Sequence, residues 1–284
     1  RDYAVTGVQT CALPICPGEG ASGNRAGVLR PLPSLDDNRL ARLTRACFLY
    51  TRRHLAAVTA AGQPLRWGET GVLHLARDDT HEATQKRVVE AHQAPTDYLR
   101  YVEREEAAQI AGWPVAAGGW WFPGGAWVQP PSACRANIAR HGERVRTHYG
   151  RHVATIVREN GQWQALAADG TLIAAAPVLV LANAADATKF SPAAYLPLQP
   201  ARGQVTHLPA DDKAAPNVVV CRLGYVTPGV DGTRCAGATF LLNDPETALR
   251  PAEHSENLAK LDFILPGFSQ TLPADATRSE ERRV

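Results

Sequence analysis

Residues 20–33, G-A-S-G-N-R-A-G-V-L-R-P-L-P, set small and turn-prone residues directly ahead of an apolar segment and a helix start. Such an order demands a loop in which main chain comes close to something else. Gly23 and Gly27 carry no Cβ, so a planar ligand or a phosphate can approach the backbone, and Ser22 and Asn24 can bond it through short polar groups. The same residues also suit a plain helix-entry loop, and taken alone they leave both readings open. Residues 18–23 match G-x-G-x-x-G letter for letter, but that pattern cradles a pyrophosphate only between a strand and a helix. Here Pro14 and Pro17 precede it and a proline-punctuated loop follows.

Downstream, Ser34 with Asp36 and Asp37 predicts a helix start, and Leu40, Leu43, Cys47, Tyr50 and Leu55 recur at helical spacing as its buried stripe until Gly62 and Pro64. A strand is expected over 70–75 and helices over 80–91 and 104–111. Residues 120–122 and 126–128 flank Pro123-Gly124-Gly125, which predicts a hairpin. A helix opens at Pro130-Pro131-Ser132 and ends near Gly142. Residues 153–158 and 163–167, separated by Asn160-Gly161 and followed by Asp169-Gly170, read as a meander. The apolar run 178–181 reads as a strand buried on both faces of a sheet. Strands are expected over 204–208, 218–221 and 237–242, and a helix over 253–265.

Composition is globular, with 45% apolar and 20% charged residues and no run long enough to span a bilayer. A formal charge of +2, of which residues 1–17 and 278–284 supply +1, points to no particular partner. The absence of methionine from all 284 residues marks the chain as an expected fragment. Residues 1–17 and 278–284 look like translated sequencing-adapter sequence and are expected to pack against nothing. Cys47, Cys134, Cys221 and Cys235 are scattered and form no C-x-x-C, so reduced thiols in a cytoplasmic protein are expected. The nine histidines show no metal-ligand spacing.

A second motif, residues 118–135 (G-G-W-W-F-P-G-G-A-W-V-Q-P-P-S-A-C-R), together with residues 21–37, closely resembles the FAD-dependent oxidoreductase half of the bifunctional tRNA 5-methylaminomethyl-2-thiouridine biosynthesis (MnmC) family, itself similar to glycine oxidase and D-amino-acid oxidase. The resemblance runs from about residue 18 to about 268. It implies an α/β plus antiparallel-sheet fold: a truncated Rossmann-like FAD-binding domain (18–62 and 130–192) interleaved with an antiparallel β substrate domain (63–129 and 193–268).

It further implies FAD-dependent oxidation of a carboxymethylaminomethyl group on the wobble uridine of a tRNA, hydride leaving the glycyl α-carbon and an aminomethyl group remaining on the base. Flavin carries the electron chemistry and protein orients the C–H, so no strong general base is required. By motif, Ser22, Gly23, Asn24, Gly27 and Val28 match the loop against the flavin. Val153 matches the position whose backbone meets the adenine, and Ala182-Asn183 stands in a turn near the pyrophosphate where relatives carry glycine at Asn183. Arg202, in R-G-Q, and Tyr225 match the catalytic side. The Trp120, Trp121 and Trp127 cluster reads as core or as a stacking surface for a flipped base.

On this resemblance the strand-turn-helix with the true dinucleotide fingerprint, the segment whose arginine would hold the substrate carboxylate, and a methyltransferase half all lie outside the chain, so the fragment is expected to be inactive. A stand-alone amino-acid oxidase and a non-catalytic or RNA-binding fragment are the alternatives. No membrane and no metal partner is expected.

Overall fold

The computed structural model describes residues 3–4, 17–18, 21–211, 214–244, 246, 248–273 and 278–283. Of the G-x-G-x-x-G coincidence, Glu19 and Gly20 lie outside the described residues, as do most of residues 1–17. Within that first stretch β1 (Tyr3–Ala4) is nevertheless a strand, paired in parallel with a later one.

The glycine-rich loop leads into β2 (Gly27–Leu29) and then α1 (Arg39–Ala60), whose N-cap is Asn38, not Ser34: the Asn38 side chain accepts from the Ala41 amide at 3.0 Å. Ser34 Oγ accepts instead from the Asn38 amide, one turn upstream. The buried stripe also differs from expectation. Ala41, Phe48, Leu55 and Val58 face inward, whereas Leu40, Leu43, Cys47 and Tyr50 are exposed. Helical spacing alone cannot choose between two apolar stripes, and packing against Tyr98 selects the Phe48 side.

Then come β3 (Trp67–Gly68), β4 (Val72–Leu75), α2 (Asp79–His92, capped by Asp78), β5 (Arg100–Val102), α3 (Arg104–Ala111), β6 (Gly119–Phe122) and β7 (Ala126–Val128). The expected hairpin does not form. The chain turns at Pro123-Gly124, but β6 pairs with β4 and β5 while β7 crosses to a separate sheet in the order β2-β7-β3. Gly125 makes that switch possible, since a Cβ there would come within 2.5 Å of Val72.

After α4 (Pro130–Ala139) and β8 (Val145–Arg146), the strand that meets β1, comes the meander β9 (Thr155–Glu159), β10 (Gln162–Leu166) and β11 (Leu172–Ala176). Residues 178–181 form no strand: Val178 and Val180 are 69% and 73% exposed. A doubly buried strand needs a neighbour on each side, and among the described residues none pairs with it.

The rest of the chain builds the large sheet: β12 (Ala201–Pro209), β13 (Val219–Cys221), β14 (Tyr225–Val226), β15 (Thr233–Gly237) and β16 (Leu241–Leu242), followed by α5 (Pro251–Ile264). Its order is β16-β12-β15-β14-β13-β4-β6-β5, so the early and late segments meet through the parallel pair β13–β4. A last strand, β17 (Arg278–Arg283), pairs antiparallel with β12 from Arg202↔Arg283 to His207↔Arg278. The expectation that residues 278–284 pack against nothing is thus corrected for the described part. The free edge of β12 offers main-chain donors and acceptors that accept an added strand whatever its side chains.

Each face of this sheet has its own core. On one, α3 and α5 pack Ala107, Ala111, Leu261 and Ile264 against Leu73, Leu75, Val220, Val226 and Ala236. On the other, α2 contributes Val88, and the β2 loop contributes Ala26 and Val28. At about 25 cal/mol per Å² of buried apolar area, two such cores are the main source of the fold's stability.

Candidate functional site

Strand register draws a line of residues across the second face. Tyr101 pairs with Trp120, Trp120 with His74, His74 with Cys221, Cys221 with Tyr225, and Tyr225 with Gly237. Directly opposed residues share a face, and here it is the face of Val72, Phe122 and Val219. Over one end of this row lies the glycine-rich loop. Ala26 packs with Val205, Cys235 and Tyr225, and Val28 joins the cluster containing Cys221 and Tyr225. Tyr225 and the loop residues Gly27 and Val28, taken from opposite ends of the sequence, are thereby brought to one place. In the loop itself Ser22 is exposed, Gly23 buried and Asn24 half-buried.

Two polar atoms here are left without partners: His74 Nδ1 on the sheet face and Asn24 Oδ1 in the loop are buried and make no hydrogen bond. Such groups normally find partners, so this surface has capacity to spare for a ligand. A Cβ at Gly27 would stand in ordinary van der Waals contact with Val128 O at 3.7 Å and Pro130 Cγ at 3.8 Å. The His74 ring stands edge-on to Trp120 and His81, at 5.8 and 5.7 Å between centroids. Burial, aided by the charge of Arg30, holds the His74 imidazole well below its ordinary pKa and therefore neutral. Burial likewise pushes the Tyr225 hydroxyl and the Cys221 thiol up, so both stay protonated.

A second locus lies in the meander region. Val153, Ala182 and Asn183 line one small cleft with Ile156, Leu179 and Leu181. Both amide atoms of Asn183 are buried without a partner, and Ala184 beside it sits at φ 52°, in the left-handed region that non-glycine residues seldom occupy. An unsatisfied amide next to strained backbone fits a turn that meets a polar ligand. Each locus thus holds an orphaned amide with capacity for a polar ligand, Asn24 in the loop and Asn183 in the cleft.

Arg202 does not join this face. With Gln204 and Thr206 it projects to the α5 side, fully buried, its Nε 3.3 Å from Glu253 and its Nη2 donating to Ala248 O at 2.8 Å. The structure thus gives Arg202 a carboxylate partner inside the protein and does not bring it to Tyr225. Trp120 is core, its Nε1–H donating to Gln85 O at 2.9 Å. Missed from sequence were His74, Tyr101, Cys221 and Arg30. The signal that could have found them is a histidine interrupting the apolar strand V-L-H-L, but only register shows what it faces.

The family described as FAD dependent oxidoreductase (DAO) matches residues 16–282, which takes in residues 278–282 of the C-terminal stretch read as adapter-like and residues 16–17 of the N-terminal one. The chain is 59% identical over 260 residues to the tRNA 5-methylaminomethyl-2-thiouridine biosynthesis bifunctional protein MnmC of Aromatoleum aromaticum, covering 92% of this chain and 41% of that protein. It is 54% identical to the protein of the same name from Azoarcus sp. (strain BH72), covering 94% of this chain and 42% of the relative. The chain thus spans about 41% of the length of these relatives. Among solved structures it is similar to glycine oxidase from Bacillus cereus (TM-score 0.79, 17% identity, 99% of this chain and 76% of that one). It is also similar to iminodiacetate oxidase from Chelativorans sp. BNC1 (TM-score 0.76, 20% identity, 99% and 77%).

Proposed function

Since this chain belongs to the FAD-dependent oxidoreductase (DAO) family, we propose that it forms the loop and substrate face of an enzyme oxidising the carboxymethylaminomethyl group of a tRNA wobble (2-thio)uridine to its aminomethyl form. The names of its relatives support this reading. So do the loop and sheet face that meet at Tyr225. On the same reading the whole protein carries a methyltransferase half and acts on tRNA in the cytoplasm. No helix among the described residues is long and apolar enough to cross a membrane.

FAD, when bound, supplies the two-electron oxidant for a C–H next to nitrogen. The chain's own residues position. Ser22, Gly23, Asn24, Gly27 and Val28 offer close main chain and one spare amide oxygen toward the cofactor. Val153, Ala182 and Asn183 offer the cleft toward its other end. Tyr225, protonated and backed by Cys221 and Cys235, presents a hydroxyl at the row where substrate would lie. Arg202 acts at a distance, by holding β12 to α5 beneath that row.

The observation that carries the proposal is the orphaned Asn24 in the glycine-rich loop, which lies over the Tyr225 end of the row. The test is FAD titration, followed by flavin fluorescence quenching, of this chain joined to the segment that carries the dinucleotide fingerprint, as wild type, Gly27→Val and Asn183→Leu. Both variants are expected to weaken FAD by about tenfold or more, as expected when a close approach or a hydrogen bond to a buried group is lost, with melting temperatures close to wild type. Equal FAD affinity in all three proteins would remove the cofactor assignment.

A further inference from the structure

Helix α1 carries five arginines and no acidic residue. Arg45 forks onto Asp37 and Arg52 onto Glu69, whereas Arg39, Arg42 and Arg53 are exposed and form no ion pair among the described residues. At about 100° of turn per residue these three fall along one edge of a stripe made of Leu40, Leu43, Cys47, Tyr50 and His54. That stripe repeats at the alternating three- and four-residue spacing of a coiled-coil seam. It lies apart from the inward face of Ala41, Phe48, Leu55 and Val58, and nothing in the chain covers it: Leu40, Leu43 and Tyr50 are more than half exposed, and Cys47 is exposed with them. The Tyr50 ring is nevertheless fixed. It stacks on His54 at 5.9 Å and 11° between planes, and Asn137 Oδ1 on α4 accepts from His54 Nε2 at 2.7 Å. An aromatic ring held rigid in solvent at the centre of an apolar stripe has the form of an interface anchor.

We propose that this stripe is the docking seam for an amphipathic helix with acidic flanks, belonging to the part of the longer relatives that lies outside the match. Those relatives, named bifunctional, are matched over 41% and 42% of their length, so more than half of each lies beyond the region that this chain aligns with. The three-four repeat selects a helix as occupant, because knobs at that spacing fill the holes of another helix. The unpaired Arg39, Arg42 and Arg53 select its charge: carboxylates facing them would orient the partner and reject wrong ones more than they would hold it. The same charges oppose a second copy, since α1 brings no carboxylate to meet them. Nucleic acid would satisfy the arginines but would set Leu40 and Leu43 against sugar and phosphate. The inference goes beyond the cofactor and substrate assignments and depends on neither.

The test reads the rate at which a maleimide modifies Cys47, resolved by peptide mass spectrometry, in two proteins. One is the 284-residue chain. The other is a chimaera in which this chain replaces the matched part of the Aromatoleum aromaticum relative. Cys47 in the chimaera is expected to react at least about tenfold more slowly, the scale of protection at a packed interface. Leu43→Glu with Tyr50→Glu should return the chimaera to the rate of the 284-residue chain, and Arg42→Glu with Arg53→Glu should return it part of the way. In the 284-residue chain neither pair should speed the reaction, because an added carboxylate disfavours the neighbouring thiolate. Should that chimaera fail to fold, one built in the same way on the Azoarcus relative carries the comparison.

Equal Cys47 rates in chain and chimaera overturn the inference, as does a slow reaction in the chimaera that survives Leu43→Glu with Tyr50→Glu. A rate in the 284-residue chain that falls as protein concentration rises assigns the stripe to a second copy, and one that falls on adding bulk tRNA assigns it to nucleic acid. Either result overturns the docked helix. Flavin content of the same chimaera separates the seam from the cofactor reading. Protection of Cys47 without FAD supports the seam alone, and FAD uptake with Cys47 unprotected supports the cofactor reading alone.

Discussion

The two faces of the large sheet are built from the same strands, and the α5 side ties several buried polar side chains to one another. On the α5 side Arg202 meets Glu253, Thr239 donates to Glu253 at 2.7 Å, and Asn257 donates to Gln204 O at 2.8 Å. On the loop side His74 Nδ1 and Asn24 Oδ1 are buried without partners, while on the α5 side Asn257 Oδ1 is left the same way inside its network. Polar groups bonded to each other fasten elements together, and unpartnered ones have capacity for a ligand. The difference teaches that a polar residue in a strand of this fold has its role fixed by the face on which it stands. Arg202 and Tyr225 are the example: both were expected at the chemistry, and the sheet divides them.

The strongest way to break this contrast is to remove a partner on the fastened face. Glu253→Ala strands the fully buried Arg202 and should cost about 3–5 kcal/mol in urea unfolding, while Arg202→Met with Glu253→Leu should recover most of that. A single-variant loss under about 1 kcal/mol would mean the pair fastens nothing.

A smaller effect should appear with pH. The folded His74 is held neutral below the ordinary value of 6.5, and burial shifts His81 and His254 in the same direction. Above about pH 6.5 folded and unfolded chains hold the same number of protons at these sites. Below it the unfolded chain takes up protons that the fold refuses, so stability falls as pH drops, by at most about 1.4 kcal/mol per pH unit for each histidine. Unfolding free energies at pH 7.5, 6.5 and 5.5 should therefore decline in wild type and decline less steeply in His74→Gln. Identical slopes would show that His74 is not held neutral.

Asp78 offers a gentler probe, because it caps α2, the helix that covers the other end of the row, by accepting from the His81 amide at 2.8 Å. Asp78→Ala should cost about 1 kcal/mol, measured as a shift in urea midpoint at unchanged m-value. This helix was legible in the sequence, as were α3, α4, the first two strands of the meander, β12 and β13. Each carries its own evidence: a cap, a proline at the start, an Asn-Gly turn or an apolar run of strand length. The elements that were misread depend on something distant. Residues 120–128 look like a hairpin until β4 claims one arm and β2 the other. Residues 178–181 look like a central strand, but strand character there requires neighbours. The glycine-rich segment was legible as a loop. That it packs over the Tyr225 end of the row appears only once β13, β14 and β15 are set in register.

The smallest expected effect concerns α1, where the sequence offers two apolar stripes and the fold uses one. Leu40, Leu43 and Tyr50 are 58%, 60% and 64% exposed, and Cys47 stands with them, whereas Phe48 is 2% exposed against Tyr98. A core cysteine replaced by alanine would lose buried sulfur contacts; an exposed one has few to lose. Cys47→Ala should accordingly shift stability by no more than about 0.5 kcal/mol. Reactivity gives an independent reading of the same geometry. A thiol reagent should modify Cys47 quickly in the native chain, while Cys221, 4% exposed beneath the loop, should react only as fast as the fold opens. If Cys47→Ala costs as much as a core substitution and its thiol is slow, the inward face of α1 is the Leu40–Cys47 stripe after all, and the packing of the loop above the row must be redrawn with it.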